Sequence, residues 1–436
     1  MEQVKTRSRH KSSRSLQINP FKLSAPMGAT LAFLGVHQCM PLMHGGQGCA
    51  SFTKVFYTRH FAEPIALQTT AVTDVTAILD GGDYSISESV KNIVNKVTPQ
   101  LIGLYTTGLT ETKGDDVSGI AKRMEVPLVY VNTPDYEGGL EQGWSAACSA
   151  MIRQLTAPAD SIDNNCLVLL PHVSLTPLEV EKIVDFMTAF GFNVVTLPDL
   201  SSSLDGHLGE KQAALSSGGI RVEHIRDLAQ AGLVVSVGAS MIPCAHELQK
   251  KNPQIRHHHF PHLAGLVATD ELIKTLLDET GFHAPPLPVG RWRDRLRDAL
   301  LDCHFALGKT RFILTGEPDM LAALCAIISE AGGKIAAVIA ATDSSALDDL
   351  KADRVIVGDL GDVEDLAAAD FDLIIGGTHV EALADRLGKG MLLRGFPNWE
   401  QLGNQLVHDC LYEGGAYFLC EMANVITRHQ HHSGQR

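Results

Sequence analysis

The 436-residue chain has no CxxC pair, no excess of basic residues and no apolar run approaching the about 20 residues that a membrane span needs. Its formal net charge is −14, which excludes nucleic acid as the main partner, since duplex binding needs clustered positive charge. Nine cysteines are scattered from Cys39 to Cys420, and an odd, dispersed set in a long chain is not a secreted disulfide framework. The N-terminus lacks the apolar core of a signal peptide. A reducing cytoplasm is the expected compartment. Glycine-rich phosphate signatures are missing as well. There is no GxGxxG with an acidic residue at the right distance and no GxxxxGK[ST], so a nucleotide site is not indicated.

What is present is globular. Hydrophobic residues make up 45% and charged residues 20%, enough apolar material for two or three domain cores. Short apolar runs recur at Leu101–Thr106, Pro127–Val131, Cys166–Leu170, Asn193–Leu197 and Leu233–Val237. The last third adds Arg311–Leu314, Lys334–Ala340, Arg354–Val357, Asp372–Ile375 and Met391–Arg394. Each is short and β-branched or leucine-rich, as parallel strands covered on both faces must be. Helical patterns fall between them. Thr176 caps one that starts at Pro177, and Asp319–Glu330 and Val380–Leu387 are others. Repeated alternation predicts an α/β protein of three doubly wound, Rossmann-like parallel-sheet domains. Proline-rich punctuation near 157 and 285 sets the expected boundaries: a basic, solvated and disordered arm over 1–20, then domains at 21–157, 158–285 and 286–427. A polar, His-rich tail, expected to be disordered, covers 428–436.

Ligands of such sheets collect beyond the carboxyl ends of the strands. The segment Pro41–Phe61 is the most informative of these. An apolar run meets Gly45, Gly46 and Gly48, and Cys49 then opens a helical pattern with Phe52, Val55 and Phe56 on one face. A thiol at a helix N-terminus feels the positive end of the macrodipole and is favoured as thiolate, the form that binds iron. Lys54, Arg59 and His60 would offset an anionic cluster. A branched side chain at Gly48 is expected to crowd this turn. A buried cysteine in a glycine turn is the competing reading, because one cysteine does not make a metal site. Cys148, Cys166 and Cys325 lie in apolar patterns and read as core, and packing is the default for Cys39, Cys303, Cys410 and Cys420. The run His257-His258-His259, with His262, reads as a solvated loop, with adventitious metal binding as its alternative.

The run from His44 to Asp74, HGGQGCASFTKVFYTRHFAEPIALQTTAVTD, resembles the HGxQGC…RHF segment of nitrogenase component subunits and their assembly relatives. Ala25–Ala29, Thr106–Asp116, Asn132–Trp144, Leu175–Leu208, Gly395–Gly403 and Leu411–Leu419 carry further similarity, so the resemblance spans nearly the whole chain. In the catalytic β subunit of that family three cysteines hold an eight-iron cluster. The matching positions here read Ser24, Cys49 and Gly108. The resemblance therefore implies a cofactor-assembly member, in which Cys49 supplies one ligand to a [4Fe-4S] cluster and a NifE-like partner subunit supplies the other three. It further implies an α₂β₂ scaffold for maturing the iron–molybdenum cofactor. The cofactor precursor comes from an upstream donor and is held transiently in the partner, and the nitrogenase iron protein docks over the cluster. No independent catalysis is expected of this chain. Asp135 stands where the β subunit has a serine close to its cluster; it either accepts hydrogen bonds near the metal or caps the following turn. Two rival readings remain. One is a subunit of a catalytic nitrogenase-like reductase of the protochlorophyllide type. The other is a metal-free α/β enzyme or binding protein using Asp135, Glu317, Asp319 and His379.

Overall fold

Apolar runs without alternation can be satisfied only by strands shielded on both faces, and the chain builds three sheets of that kind. The structure is a computed structural model. It describes residues 10–12, 21–57, 65–72, 79, 82–203, 214–216, 218–286, 288–366, 371–396 and 398–433. Every strand pairing within the three sheets is parallel.

One unit comprises Leu23–Phe260 with Gly403–Val407 and holds two of the sheets. The first sheet has the order β3-β2-β4-β5, with β2 at Cys39–His44, β3 at Gln68–Thr69, β4 at Leu101–Thr106 and β5 at Leu128–Val131. Met40, Leu42, Ile102 and Leu104 pack against Ile86, Val90 and Ile93 of the Asp83–Lys96 helix and against Val117 and Ile120. Burying each such side chain stabilises the fold by about 1.5–3 kcal/mol. Helix α1, Ala25–Leu34, is buried at all ten positions. It lies against the Leu140–Leu155 helix so closely that a Cβ on Gly28 would stand 2.0 Å from the Leu140 carbonyl oxygen. One on Gly143 would stand 1.8 Å from that of Ala25. Only hydrogen atoms fit between these backbones.

The second sheet has the order β7-β6-β8-β9, with β6 at Asp163–Pro171, β7 at Asn193–Thr196, β8 at Ala231–Val237 and β9 at Arg256–Phe260. The histidine run expected in a loop is thus an edge strand. Ladder pairing with β8, five residues deep, overrides its polar composition. The helix after β6 starts as its sequence dictates. Thr176 Oγ1 accepts from the Glu179 amide at 3.2 Å, and Glu179 Oε2 accepts from the Thr176 amide at 2.9 Å.

The other unit comprises Met1–Lys22, Pro261–Leu402 and His408–Arg436. Its sheet has the order β1-β12-β11-β10-β13-β14. These are β10 at Arg311–Gly316, β11 at Lys334–Ala340, β12 at Val355–Val357, β13 at Leu373–Gly376 and β14 at Gly390–Leu393. Within the N-terminal arm, β1 (His10–Lys11) pairs with Ile356 and Val357; the remaining basic residues, Lys5, Arg7, Arg9 and Arg14, lie outside the described residues. The Gly265–Thr280 helix, N-terminal to the expected boundary at 285, groups with this unit. The last helix, Leu411–Ser433, runs beyond 427 despite its histidines. No described helix is long and apolar enough to cross a membrane.

Candidate functional site at the carboxyl edge of the first sheet

Strand β2 ends on His44, whose imidazole is fully buried. Its Nδ1 lies 2.8 Å from Thr70 Oγ1 and its Nε2 2.8 Å from Asp115 Oδ2, which also takes an ion pair from Lys113 at 3.0 Å. The His44 carbonyl accepts from Thr110 Oγ1 at 2.9 Å and from Thr107 Oγ1 at 3.2 Å. The strand end is therefore pinned from both neighbouring strands' loops. This network was not legible in the sequence, since Asp115 stands 71 residues away and nothing in its local pattern pairs it with His44.

From that anchor the chain turns at Gly45. A Cβ there would meet Thr107 Cγ2 at 2.7 Å and Oγ1 at 2.8 Å. The steric demand expected at Gly48 is absent: among the described residues nothing comes within 4 Å of a Cβ on it, and Gly45 is the crowded position. Helix α2, Gln47–Tyr57, begins two residues earlier than the expected start at Cys49, which leaves Cys49 in the first turn. Its thiol is free and exposed. Ala50, Thr53 and Tyr57 form the inward face, and Tyr57 Oη donates to the Met27 carbonyl at 2.8 Å, tying α2 to α1.

The apolar residues expected to pack this helix lie on the other side. Phe52 is 67% exposed and Val55 65%, and the rings of Phe52 and Phe56 meet at 5.4 Å. Leu109, in the short helix after β4, and Tyr136, in the loop after β5, are exposed too. A protein surface does not ordinarily concentrate large apolar side chains unless something covers them. Arg59 and His60, expected to offset charge, lie outside the described residues.

At the end of β4, Thr107 precedes a short helix, Gly108–Lys113. Asp135, beyond β5, accepts from the Gly108 amide at 2.9 Å. Its carboxyl is raised above the ordinary value by partial burial, an effect that the Gly108 amide opposes. That bond ties Asp135 to the start of the segment after β4, 27 residues earlier, and not to the turn that follows Asp135. A Cβ on Gly108 would lie 3.2 Å from Asp135 Oδ2, so glycine at 108 and aspartate at 135 fit each other. Ser24 is half-buried at the N-cap of α1 and makes no side-chain cap bond. Cys49, Gly108 and Asp135 all follow parallel strands of one sheet and share its carboxyl edge.

The donor set decides what this chain alone can hold. An iron–sulfur cluster takes four thiolates in the ordinary case. Cys39 sits at the opposite end of β2 from the glycine turn, and burial pushes its thiol far up, as it does for Cys148 and Cys325. Cys244 and Cys410 are buried and Cys166 is half-buried. Cys303, on the Val289–Leu307 helix, is held up to about 11 by burial and by neighbouring Cys420, the one other exposed thiol. Cys420 lies within the last helix, in the other unit. The first sheet thus offers a single available thiol, which fits one ligand of a shared cluster and no more.

Of the rival site residues, Asp135 follows β5 of the first sheet and the other three belong to the other unit. Glu317, Asp319 and His379 follow β10 and β13 of the third sheet. Glu317 and Asp319 are buried, and the His379 ring meets Trp399 at 5.7 Å.

Residues 24–427 match the family model for nitrogenase component 1 type oxidoreductases. The nitrogenase iron-molybdenum cofactor biosynthesis protein NifN of Rippkaea orientalis is 39% identical, over 95% of this chain and 94% of that protein. NifN of Rhodobacter capsulatus is 36% identical, over 96% and 93%. A solved chain of nitrogenase Cp1 at pH 6.5 superposes with a TM-score of 0.89 at 27% identity, covering 97% of this chain and 96% of its own.

Proposed function

Because the chain belongs to the nitrogenase component 1 type oxidoreductase family, within its NifN group, we propose that it is a scaffold subunit for assembly of the iron–molybdenum cofactor. In this reading it pairs with a NifE-like subunit in an α₂β₂ complex in the cytoplasm. The two chains share a [4Fe-4S] cluster, to which Cys49 gives one thiolate and the partner three. When bound, the cluster supplies a one-electron relay. This chain's residues hold and shield it. Cys49 is presented in the first turn of α2, the His44 network and Gly45 fix where that turn begins, and Phe52 and Val55 offer apolar area for the partner to cover. The maturing cofactor precursor, delivered by an upstream donor, rests transiently in the partner. The nitrogenase iron protein docks over the shared cluster. The chain performs no catalysis of its own.

The observation that carries this is the exposed lone thiol beside an exposed apolar helix face at the carboxyl edge of a buried sheet. A cluster completed across that contact contributes its binding free energy to both subunits. The test is co-expression with the NifE-like chain, followed by iron analysis and electron paramagnetic resonance of the reduced complex. A [4Fe-4S] signal that depends on co-expression supports the reading. A full cluster on the single purified chain, or an iron-free complex, contradicts it.

A further inference from the structure

Two thiols stand side by side in the unit that holds the third sheet. Cys303 lies on the buried face of the Val289–Leu307 helix, with Leu296, Ala299 and Leu307, and Cys420 is exposed on the last helix, Leu411–Ser433. The contacts between these helices fix their register. Arg293 and Tyr412 both hold the Asp270 carboxylate, the arginine through two bonds at 2.9 and 2.7 Å. Three residues further along each helix, a Cβ on Gly415 would stand 3.4 Å from Leu296 Cδ1. The helices therefore run in the same direction and in step. That step, carried on from Leu296, brings Cys303 level with Met422, two residues past Cys420 and within the same turn. The thiols are neighbours there: burial first, and then the Cys420 thiol, raise that of Cys303. Cys325 of the same unit is raised by burial alone. Neither Cys303 nor Cys420 is in a disulfide.

We propose that Cys303 and Cys420 are a redox modification site, a dithiol that a low-molecular-weight disulfide oxidises to an intrachain bridge between the two helices. This site is independent of the cofactor-assembly reading. Its two members have unequal parts. Thiolate is the attacking form, and an exposed thiol reaches it more readily than a buried one. Cys420 therefore attacks first. Its sulfur bonds to one sulfur of the small disulfide, whose S–S bond breaks, and one small thiolate leaves. Cys303 then attacks the Cys420 sulfur of that mixed disulfide, and the second small thiolate leaves. Each leaving thiolate takes up the proton that its attacker released. The protein dithiol thus loses two electrons and two protons, and the small disulfide becomes two thiols. The second step is intramolecular because helix packing already holds Cys303 beside its target. The bridge would fasten the last helix to the body of its unit and constrain the unfolded chain across a long loop.

The test uses the full-length chain carrying Cys49→Ser, so that the other exposed thiol does not compete. The reduced, folded protein is incubated with glutathione disulfide, its remaining thiols are alkylated, and the digest is mapped by mass spectrometry. The proposal expects a Cys303–Cys420 cross-linked peptide, reversed by dithiothreitol, with little glutathione left on Cys420. In Cys303→Ser the second step is blocked, and glutathione on Cys420 should rise roughly tenfold or more. In Cys420→Ser, a change at an exposed position, Cys303 should stay reduced. Should Cys303→Ser fail to fold, the cross-link in the parent chain and its loss in Cys420→Ser carry the same comparison. Equal glutathione on Cys420 with and without Cys303, a bridge from either thiol to a different cysteine, or two thiols that remain reduced would overturn the site.

Discussion

Gly45 and Gly48 lie in one turn and face opposite demands. A side chain on Gly45 runs into Thr107, which itself bonds the His44 carbonyl, so neither partner can yield without loosening the strand end. Gly45→Val is expected to destabilise the chain by about 1–3 kcal/mol, whereas Gly48→Val should leave the melting of the isolated chain unchanged. Paired thermal denaturation curves decide it, and equal losses in both would contradict the geometry. Asp135 gives a second residue-scale expectation, in pH. Its folded carboxyl is raised, so the unfolded chain releases the proton more readily, and ionisation at neutral pH opposes folding. Asp135→Asn keeps an acceptor for the Gly108 amide and removes that opposition. The variant should match the wild type below the ordinary aspartate range and be the more stable of the two at neutral pH. A stability loss at pH 7 would show instead that the charge is used.

At the scale of elements, the contact of α1 with the Leu140–Leu155 helix is the least tolerant part of the first unit. Gly143→Ala places a methyl carbon inside the Ala25 carbonyl contact and forces the two helices apart. A loss of about 3 kcal/mol or more in denaturant unfolding is expected, and a neutral result would mean that these helices slide freely. Elements of this kind also mark how far the sequence could be read. The runs at 101–106 and 334–340 appear as strands with the same ends, β4 and β11, because continuous apolar β-rich segments have few other places to go. Strands β1 and β3, of two residues each, carry no periodicity to detect, and β9 was hidden by three consecutive histidines. The outward turn of Phe52 and Val55 was equally illegible. An amphipathic pattern states that a face is apolar, not whether this chain or another one covers it. Cys49 could be singled out because a thiol after a glycine turn has a specific chemical use. The His44–Asp115–Lys113 network that fixes the turn could not, being assembled from two loops.

At the scale of the whole molecule, three parallel sheets and match to the nitrogenase component 1 family over residues 24–427 give the chain the architecture of a cluster-handling subunit. The donor set limits that role, since its first sheet offers one exposed thiol where four ligands are needed. The account therefore predicts division of labour: the chain purified alone is iron-poor, and iron appears with the partner. The most direct measurement is iron content, with the reduced-state resonance spectrum, of the co-purified two-chain complex in wild-type and Cys49→Ala forms. The account predicts that the variant complex retains its secondary structure and loses most of the [4Fe-4S] signal. Wild-type iron and an unchanged spectrum in the Cys49→Ala complex would contradict it.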